Sequence, residues 1–345
     1  MLWPRTSTMS MAWRGKFDPE NAEDSDESML SVPDDARVKP IGRNVYALLI
    51  SDVTQDYVRL WQGSANQWVR ICRLGYSAFL MFLVILLQVF LLYGISTMLC
   101  GPSVKEIRQA YSLYEKALYG AEVEETVNGF WRGKTGAVPN EEAFSSLSSS
   151  DQAKICNIPL SQPLFTASIV FIWTLTCIAE VRSASILAYD LLWVTPIAPV
   201  TQCLDHGPSN RTIVGLTRGM KASLCMGCFL PRICAALLLN LLGCHWILSS
   251  TDLPALFLDA LALEFIVLLP ELLYRTFASE RSMLRTQSTF VQAGEIVEVS
   301  VMDILHVFMW GIFAILWTYI YMFHLQPILP GYRWDVHKVC AQQMK

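Results

Sequence analysis

Among the polar residues within the apolar sequence between residues 224 and 273, four are the strongest candidates for chemistry. Asn240 and His245 belong to one apolar run, and Asp259 and Glu264 belong to the next. A carboxylate near the centre of a bilayer costs about 2.5–3.5 kcal/mol, so it is expected to face the bundle interior. The four residues therefore indicate a pathway for protons or small cations. A polar clamp that fixes helix packing through interhelical hydrogen bonds explains them equally well.

The two runs are interpreted as the arms of a tight helical hairpin. The segment SSTD at 249–252 is a turn-like cluster that can cap the second helix. Residues at equal distances from the turn of a hairpin lie at similar depths, and this places Glu264 near mid-membrane. In the pathway hypothesis Glu264 is the central group. Asp259 and Glu264 are separated by about 140° around an ideal helix, so they cannot chelate one ion. The second arm either spans the bilayer or is re-entrant.

Other pairings follow from depth and spacing. Arg232 lies level with Glu271, which predicts a structural ion pair, while Glu271 is also one turn from Arg275 on the same helix. Cys100 and Cys156 bracket the loop 101–163, where either a disulfide or two free thiols would fit. A lone C-x-x-C pair does not supply the four ligands of structural zinc, so no metal and no cofactor is expected.

Catalytic signatures give no support for an enzyme. The sequence contains no phosphate-binding loop of the G-x-x-x-x-G-K-[ST] type, no G-x-G-x-x-G, no H-E-x-x-H and no G-x-S-x-G. Its net charge of −4 does not favour a nucleic-acid-binding protein, which should carry a basic face. A channel or transporter subunit is therefore the first hypothesis.

The elements that must position these residues are membrane helices. The chain has 345 residues, of which 53% are hydrophobic and 16% charged, whereas soluble domains average about 25% charged residues. The expected fold is an all-α polytopic bundle of four to five transmembrane helices surrounded by lipid. The predicted spans are residues 74–100, 164–182, 224–248, 253–273 and 304–325.

The remaining segments are expected outside the bilayer. They are a disordered acidic tail at 1–43, an interfacial segment at 44–73, a loop at 101–163 with a Ser-rich linker at 132–155, loops at 183–223 and 274–303, and a C-terminal tail at 326–345. With the N-terminus inside, the loop 101–163 faces the lumen or the outside. The sequon at Asn210 argues against that orientation, because it falls in a loop placed inside.

An amphipathic helix is predicted at 103–125. Ser103 and Glu106 form a capping box, and an apolar stripe follows at heptad spacing through Ile107, Tyr111 and Leu118. This stripe either packs against another extramembrane segment of the chain or mediates homo- or hetero-oligomerisation. The latter reading supports the alternative hypothesis of a non-transporting membrane scaffold, which would bind partners through this helix and the acidic tail.

One segment resembles known proteins. Residues 256–266, LFLDALALEFI, followed by ELLY at 271–274, are similar to a segment of uncharacterised polytopic membrane proteins from dinoflagellate-type algal protists. In that family Asn is expected in place of Asp259 and Asp in place of Pro270. The resemblance implies a membrane protein and carries no established activity.

Overall fold

The chain forms an all-α bundle, as its composition predicts. The computed structural model describes residues 38–61, 63, 66–126, 128–206, 211–292 and 301–343. Residues 1–37 of the predicted acidic tail, and the sequon at Asn210, lie outside the described residues. The helices are α1 Val45–Trp61, α2 Gln67–Gly94, α3 Cys100–Tyr119, α4 Ser149–Asn157, α5 Pro163–Tyr189, α6 Arg218–Leu224, α7 Leu230–Leu248, α8 Leu253–Phe277, α9 Glu280–Gln287, α10 Val301–Ile320 and α11 Val336–Gln343.

Within the described part of the chain, four helical stretches are long and apolar enough to cross a bilayer. They are Gln67–Tyr119, Pro163–Val194, Arg218–Leu248 and Val307–Leu325. Their outward faces carry exposed large apolar side chains such as Phe82, Phe90, Ile172 and Phe313. In water such faces would be unstable, whereas lipid tails solvate them. The chain is therefore a multi-pass integral membrane protein.

The first span continues without a break into the region predicted to begin a separate helix. A π-helical turn, Ile95–Leu99, joins α2 to α3 and ends three residues before Pro102, whose missing N–H disturbs the helical ladder. The expected capping box does not form, because the Ser103 hydroxyl donates back to the Leu99 carbonyl at 3.0 Å. The helix then ends at Gly120, whose positive φ of 54° stops it before the predicted residue 125.

The helix α8 lies antiparallel to α2. Near one end the Tyr76 hydroxyl donates to the Phe277 carbonyl at 2.9 Å, and further along Gln88 Nε2 donates to the Ile266 carbonyl at 3.3 Å. The 25 residues of α8 form one continuous helix of about 37 Å, which is longer than the roughly 30 Å hydrocarbon core. Pro270 lies inside this helix without interrupting it.

One end of the bundle carries a folded cap, which we name the disulfide cap. It consists of α3, α4, α11 and a hairpin of β2 Val123–Glu125 and β3 Trp131–Gly133. Cys156 is bonded to Cys340, so the predicted partner Cys100 is wrong: Cys100 is a free, buried thiol. The disulfide forms where α11 packs against α4, a meeting of segments that are distant in sequence.

The predicted stripe of α3 is used inside this cap. Ile107, Tyr111, Tyr114 and Leu118 are all buried, and the Tyr111 ring lies 5.1 Å from that of Tyr332 in the C-terminal segment. The Ser-rich segment 132–155 is also folded rather than a linker. It contains a 3₁₀ helix, Glu141–Ser146, and α4, whose N-cap Ser148 accepts a hydrogen bond from the Asp151 N–H.

The opposite end carries a second cap, which we name the basic cap. It consists of α1, α9 and a sheet of order β1-β6-β5-β4, formed by Val38–Pro40, Thr289–Gln292, Arg211–Ile213 and Leu204–His206. The pair β5–β6 is parallel and the other two pairs are antiparallel. Segments predicted as interfacial or as loops thus form a compact unit around α1, whose apolar residues Val45–Ile50 are buried.

Candidate functional site

The side chain of Glu264 does not face the bundle interior. The buried face of α8 carries Leu256, Leu263, Ile266 and Pro270, whereas Glu264 lies on the exposed face beside Leu261 and Phe265. Among the residues that the structure describes, no side chain bonds to its carboxylate. The prediction that Glu264 is a central interior group is therefore wrong, because the apolar residues of α8 pack inward on a different face of the helix.

The other predicted polar residues make mainly local contacts. Asp259 Oδ2 accepts a hydrogen bond from Ser250 Oγ at 2.6 Å, which ties α8 to the hairpin turn. Asn240 is buried, and its Oδ1 accepts from Cys244 Sγ at 3.7 Å on the same helix. His245 Nδ1 is buried without a hydrogen-bond partner in the described part of the chain. The predicted set does not form one connected chain of contacts.

Arg232 pairs with a residue that the sequence analysis did not select. Its Nε donates to Glu180 Oε1 at 2.7 Å, and its guanidinium lies 4.8 Å from the centre of the Tyr46 ring. Glu271 instead pairs with Arg275 at 2.6 Å on the surface, so the predicted pair of Arg232 with Glu271 is wrong. The reason is packing: α7 lies closest to α5, and α5 extends to Tyr189.

A sequence signal for Glu180 did exist. It is a lone acidic residue in an apolar helix that continues past the predicted end at residue 182. Burying the Arg232 side chain, which is only 4% exposed, requires such an anionic partner, since an unpaired buried charge is strongly destabilising.

Glu180 lines two neighbouring spaces. A cleft of about 210 Å³ opens at the basic-cap end and is lined by Arg43, Asn44, Glu180, Glu271 and nearby apolar residues. A void of about 10 Å³ lies deeper and is lined by Tyr46, Gln88, Glu180, Arg232 and apolar neighbours. A space of that size holds about one water molecule.

Gln88 supplies a reason for water to enter the void. Its Nε2 donates to Ile266, but its Oε1 is buried without a partner in the described residues. An unsatisfied buried acceptor costs about 1–3 kcal/mol, and a water in the void would remove that penalty. We name the set of Glu180, Arg232, Gln88, Asn240 and Asp259 the polar seam.

No group of three or more His, Cys, Asp and Glu side chains in the described residues could hold a metal ion.

No family model, curated protein or solved structure matches the chain. The polar seam, with its neighbouring cleft and void, is therefore the basis on which the function has to be inferred.

Proposed function

We propose that this integral membrane protein conducts protons along the polar seam, with Glu180 as the group that takes up and releases them. The observation that carries the proposal is that Glu180 lines both the open cleft and the inner void. A carboxylate between water on one side and a single buried water on the other is placed to exchange protons with both. Intramembrane ionisable groups commonly mark such relays.

A proton suits this seam better than a hydrated cation. The void holds about one water, which is too little space for an ion with its hydration shell.

The seam is closed beyond Gln88. About seven residues of α8 separate the level of Ile266 from that of Asp259, or about 10 Å of helix. Leu263, which is fully buried in this interval, would have to move aside for protons to pass. The described conformation is therefore the closed one in this proposal.

Proton flux into liposomes tests the proposal. We expect the purified chain to carry protons, the substitution Glu180→Gln to lower the flux at least tenfold, and Glu264→Gln to leave it unchanged. The two variants are matched, because each removes one carboxylate from a membrane helix. Equal flux in both variants, or none from correctly inserted wild type, would rule out the role of Glu180.

A second variant separates conduction from folding. Glu180→Gln leaves Arg232 without its anionic partner, which is expected to destabilise the bundle. Gln88→Leu leaves that ion pair intact and removes the acceptor that holds water in the void. Loss of flux in a folded Gln88→Leu variant supports the seam, whereas normal flux in that variant contradicts it.

The scaffold alternative needs a surface other than the predicted one. The apolar stripe of α3 is buried within the disulfide cap, so a partner would have to bind elsewhere on that cap.

A further inference from the structure

The basic cap contains a charge cluster that the proposed proton pathway does not use. Two carboxylates, Asp52 and Asp56, lie one turn apart on α1 and are each about 1% exposed. Arg73 Nε lies 3.2 Å from Asp56 Oδ2. Arg285 on α9 lies 3.7 Å from Asp52 and 3.9 Å from Asp56. Because both acids are buried and lie one turn apart, the arginines around them share one site, which we call the core of the cluster.

Three more arginines surround the same core. Arg211 on β5 donates to Gln55 Oε1 on α1, and Gln55 Nε2 in turn donates to Thr289 Oγ1 at 2.8 Å. The positive charges of Arg59 and Arg70 also act on Asp56. The charges of five guanidinium groups therefore act on two carboxylates, so the five exceed the two by three positive charges even when both acids are ionised.

The excess charge is unfavourable for the chain by itself. Burial, followed by repulsion from Arg211 and Arg70, lowers the pKa of Arg59 below its usual range. Like charges held together in a partly dehydrated site repel each other strongly. A multivalent anion would relieve this repulsion.

Arg70 provides an unused hydrogen-bond donor at this site. Its Nη1 is buried and has no hydrogen-bond partner among the described residues. A buried guanidinium N–H normally finds an acceptor, because leaving a charged donor unpaired is costly. The acceptor that fits an arginine cluster best is a phosphate oxygen, which binds guanidinium groups bidentately.

The cluster also lies beside the start of the first candidate span, in the first turns of α2. It is built where α1 ends and α2 begins, and the two tryptophans of this corner, Trp61 and Trp68, are 70% and 79% exposed. Exposed tryptophans beside a span are typical of the headgroup region. Basic pockets between helix ends at this depth can hold anionic headgroups.

We propose that the arginines Arg59, Arg70, Arg73, Arg211 and Arg285 form a binding site for a phosphate monoester at the membrane surface. The phosphate belongs either to a lipid headgroup or to a soluble phosphate compound, and the same site chemistry serves both. A monoester carries close to two negative charges and three acceptor oxygens. It thus neutralises most of the excess charge and can accept from Arg70.

Binding to the full-length chain in nanodiscs tests the site. Nanodiscs containing phosphatidylinositol bisphosphate are compared with nanodiscs in which phosphatidylserine supplies the same total charge, and soluble inositol trisphosphate is titrated separately. If the phosphate belongs to a lipid, we expect the bisphosphate lipid to stabilise the protein more than phosphatidylserine does. If it belongs to a soluble compound, we expect inositol trisphosphate to stabilise the protein. Equal stabilisation by phosphatidylserine and none by inositol trisphosphate would overturn the proposal.

Arg70→Gln is the decisive variant. We expect it to weaken phosphate binding at least about tenfold, which corresponds to one lost charge-assisted hydrogen bond. Without phosphate, its melting temperature should be unchanged or higher than that of wild type, because repulsion is reduced. A purely structural arginine would show the opposite, namely a lower melting temperature.

The matched control is Arg281→Gln, which removes an exposed arginine from the same short helix as Arg285. It should bind phosphate like wild type. If Arg281→Gln and Arg70→Gln weaken binding equally, the attraction is only diffuse surface charge and the site is refuted.

Discussion

At the scale of single residues, burial decides the behaviour of Asp52. Its carboxyl lies in the basic cap, where burial first and the neighbouring Asp56 second raise its pKa to about 7. Arg73 and a hydrogen bond from Ser77 act in the opposite direction but do not cancel this effect. An ordinary aspartate has a pKa near 3.9, so Asp52 is protonated when folded over a range in which the unfolded chain is ionised.

The consequence is a specific dependence of stability on pH. Between about pH 4 and pH 7 the folded state binds more protons than the unfolded state, so the free energy of unfolding falls as pH rises through this range. The substitution Asp52→Asn removes this loss. Its stability relative to wild type should therefore increase from pH 4 to pH 7 and level off above. The free energy of unfolding should differ by up to about 4 kcal/mol, and the melting temperature should follow it.

Thermal unfolding of purified protein across this pH range checks the prediction. Glu280→Gln, which changes an exposed acid of the same cap, is the control and should follow the wild-type curve. Parallel curves for Asp52→Asn and wild type would show that Asp52 titrates normally.

At the scale of elements, the contact of α5 with α7 depends on one glycine. A Cβ atom at Gly243 would overlap the indole ring of Trp173, whereas at Gly227 it would meet no atom within 4 Å. Membrane helices pack closely where small residues let their backbones approach. This contact also holds Arg232 of α7 against Glu180 of α5, so it positions the polar seam.

Gly243→Ala should therefore separate the two helices. We expect a loss of about 1–3 kcal/mol from overpacking, while Gly227→Ala should be neutral or slightly stabilising, because Ala favours helix. Thermal melts in detergent measure both. Combining Gly243→Ala with Trp173→Leu should restore much of the loss, and a strictly additive double variant would argue against the contact.

At the scale of the whole molecule, covalent and polar links join distant parts of the chain in the disulfide cap. The bond from Cys156 to Cys340 spans 184 residues, and Arg108 on α3 donates to the carbonyls of Pro327 and Ile328, both at 2.8 Å. Disulfides persist in oxidising compartments. This cap is therefore expected on the lumenal or external side, and the basic cap on the cytosolic side, as the positive-inside rule favours.

Removing the bond should loosen the cap selectively. We expect Cys340→Ser to lower the stability of the cap by about 2–5 kcal/mol and to speed amide hydrogen exchange in α4 and α11. Cys72→Ser, which removes an exposed free thiol, should change neither. A non-reducing peptide map that links Cys156 to Cys100 instead would contradict the pairing.

The sequence by itself determined the membrane class, the helical fold and the approximate position of the apolar spans. These properties depend on composition along the chain, because about 20 consecutive apolar residues suffice for a span whatever surrounds them. The continuation of α5 past residue 182 depends on the same local property, because the apolar sequence itself continues there.

Only the tertiary structure decided which polar groups meet. The outward direction of Glu264, the partner of Arg232 and the partner of Cys156 all depend on helices that are far apart in sequence. The Ser-rich segment is predicted as a linker, yet it contains α4, and in the segment 44–73 other parts of the chain bury most of α1. The neighbours of a side chain across the bundle depend on how whole helix faces pack. Local patterns in a single sequence do not reveal which faces pack together.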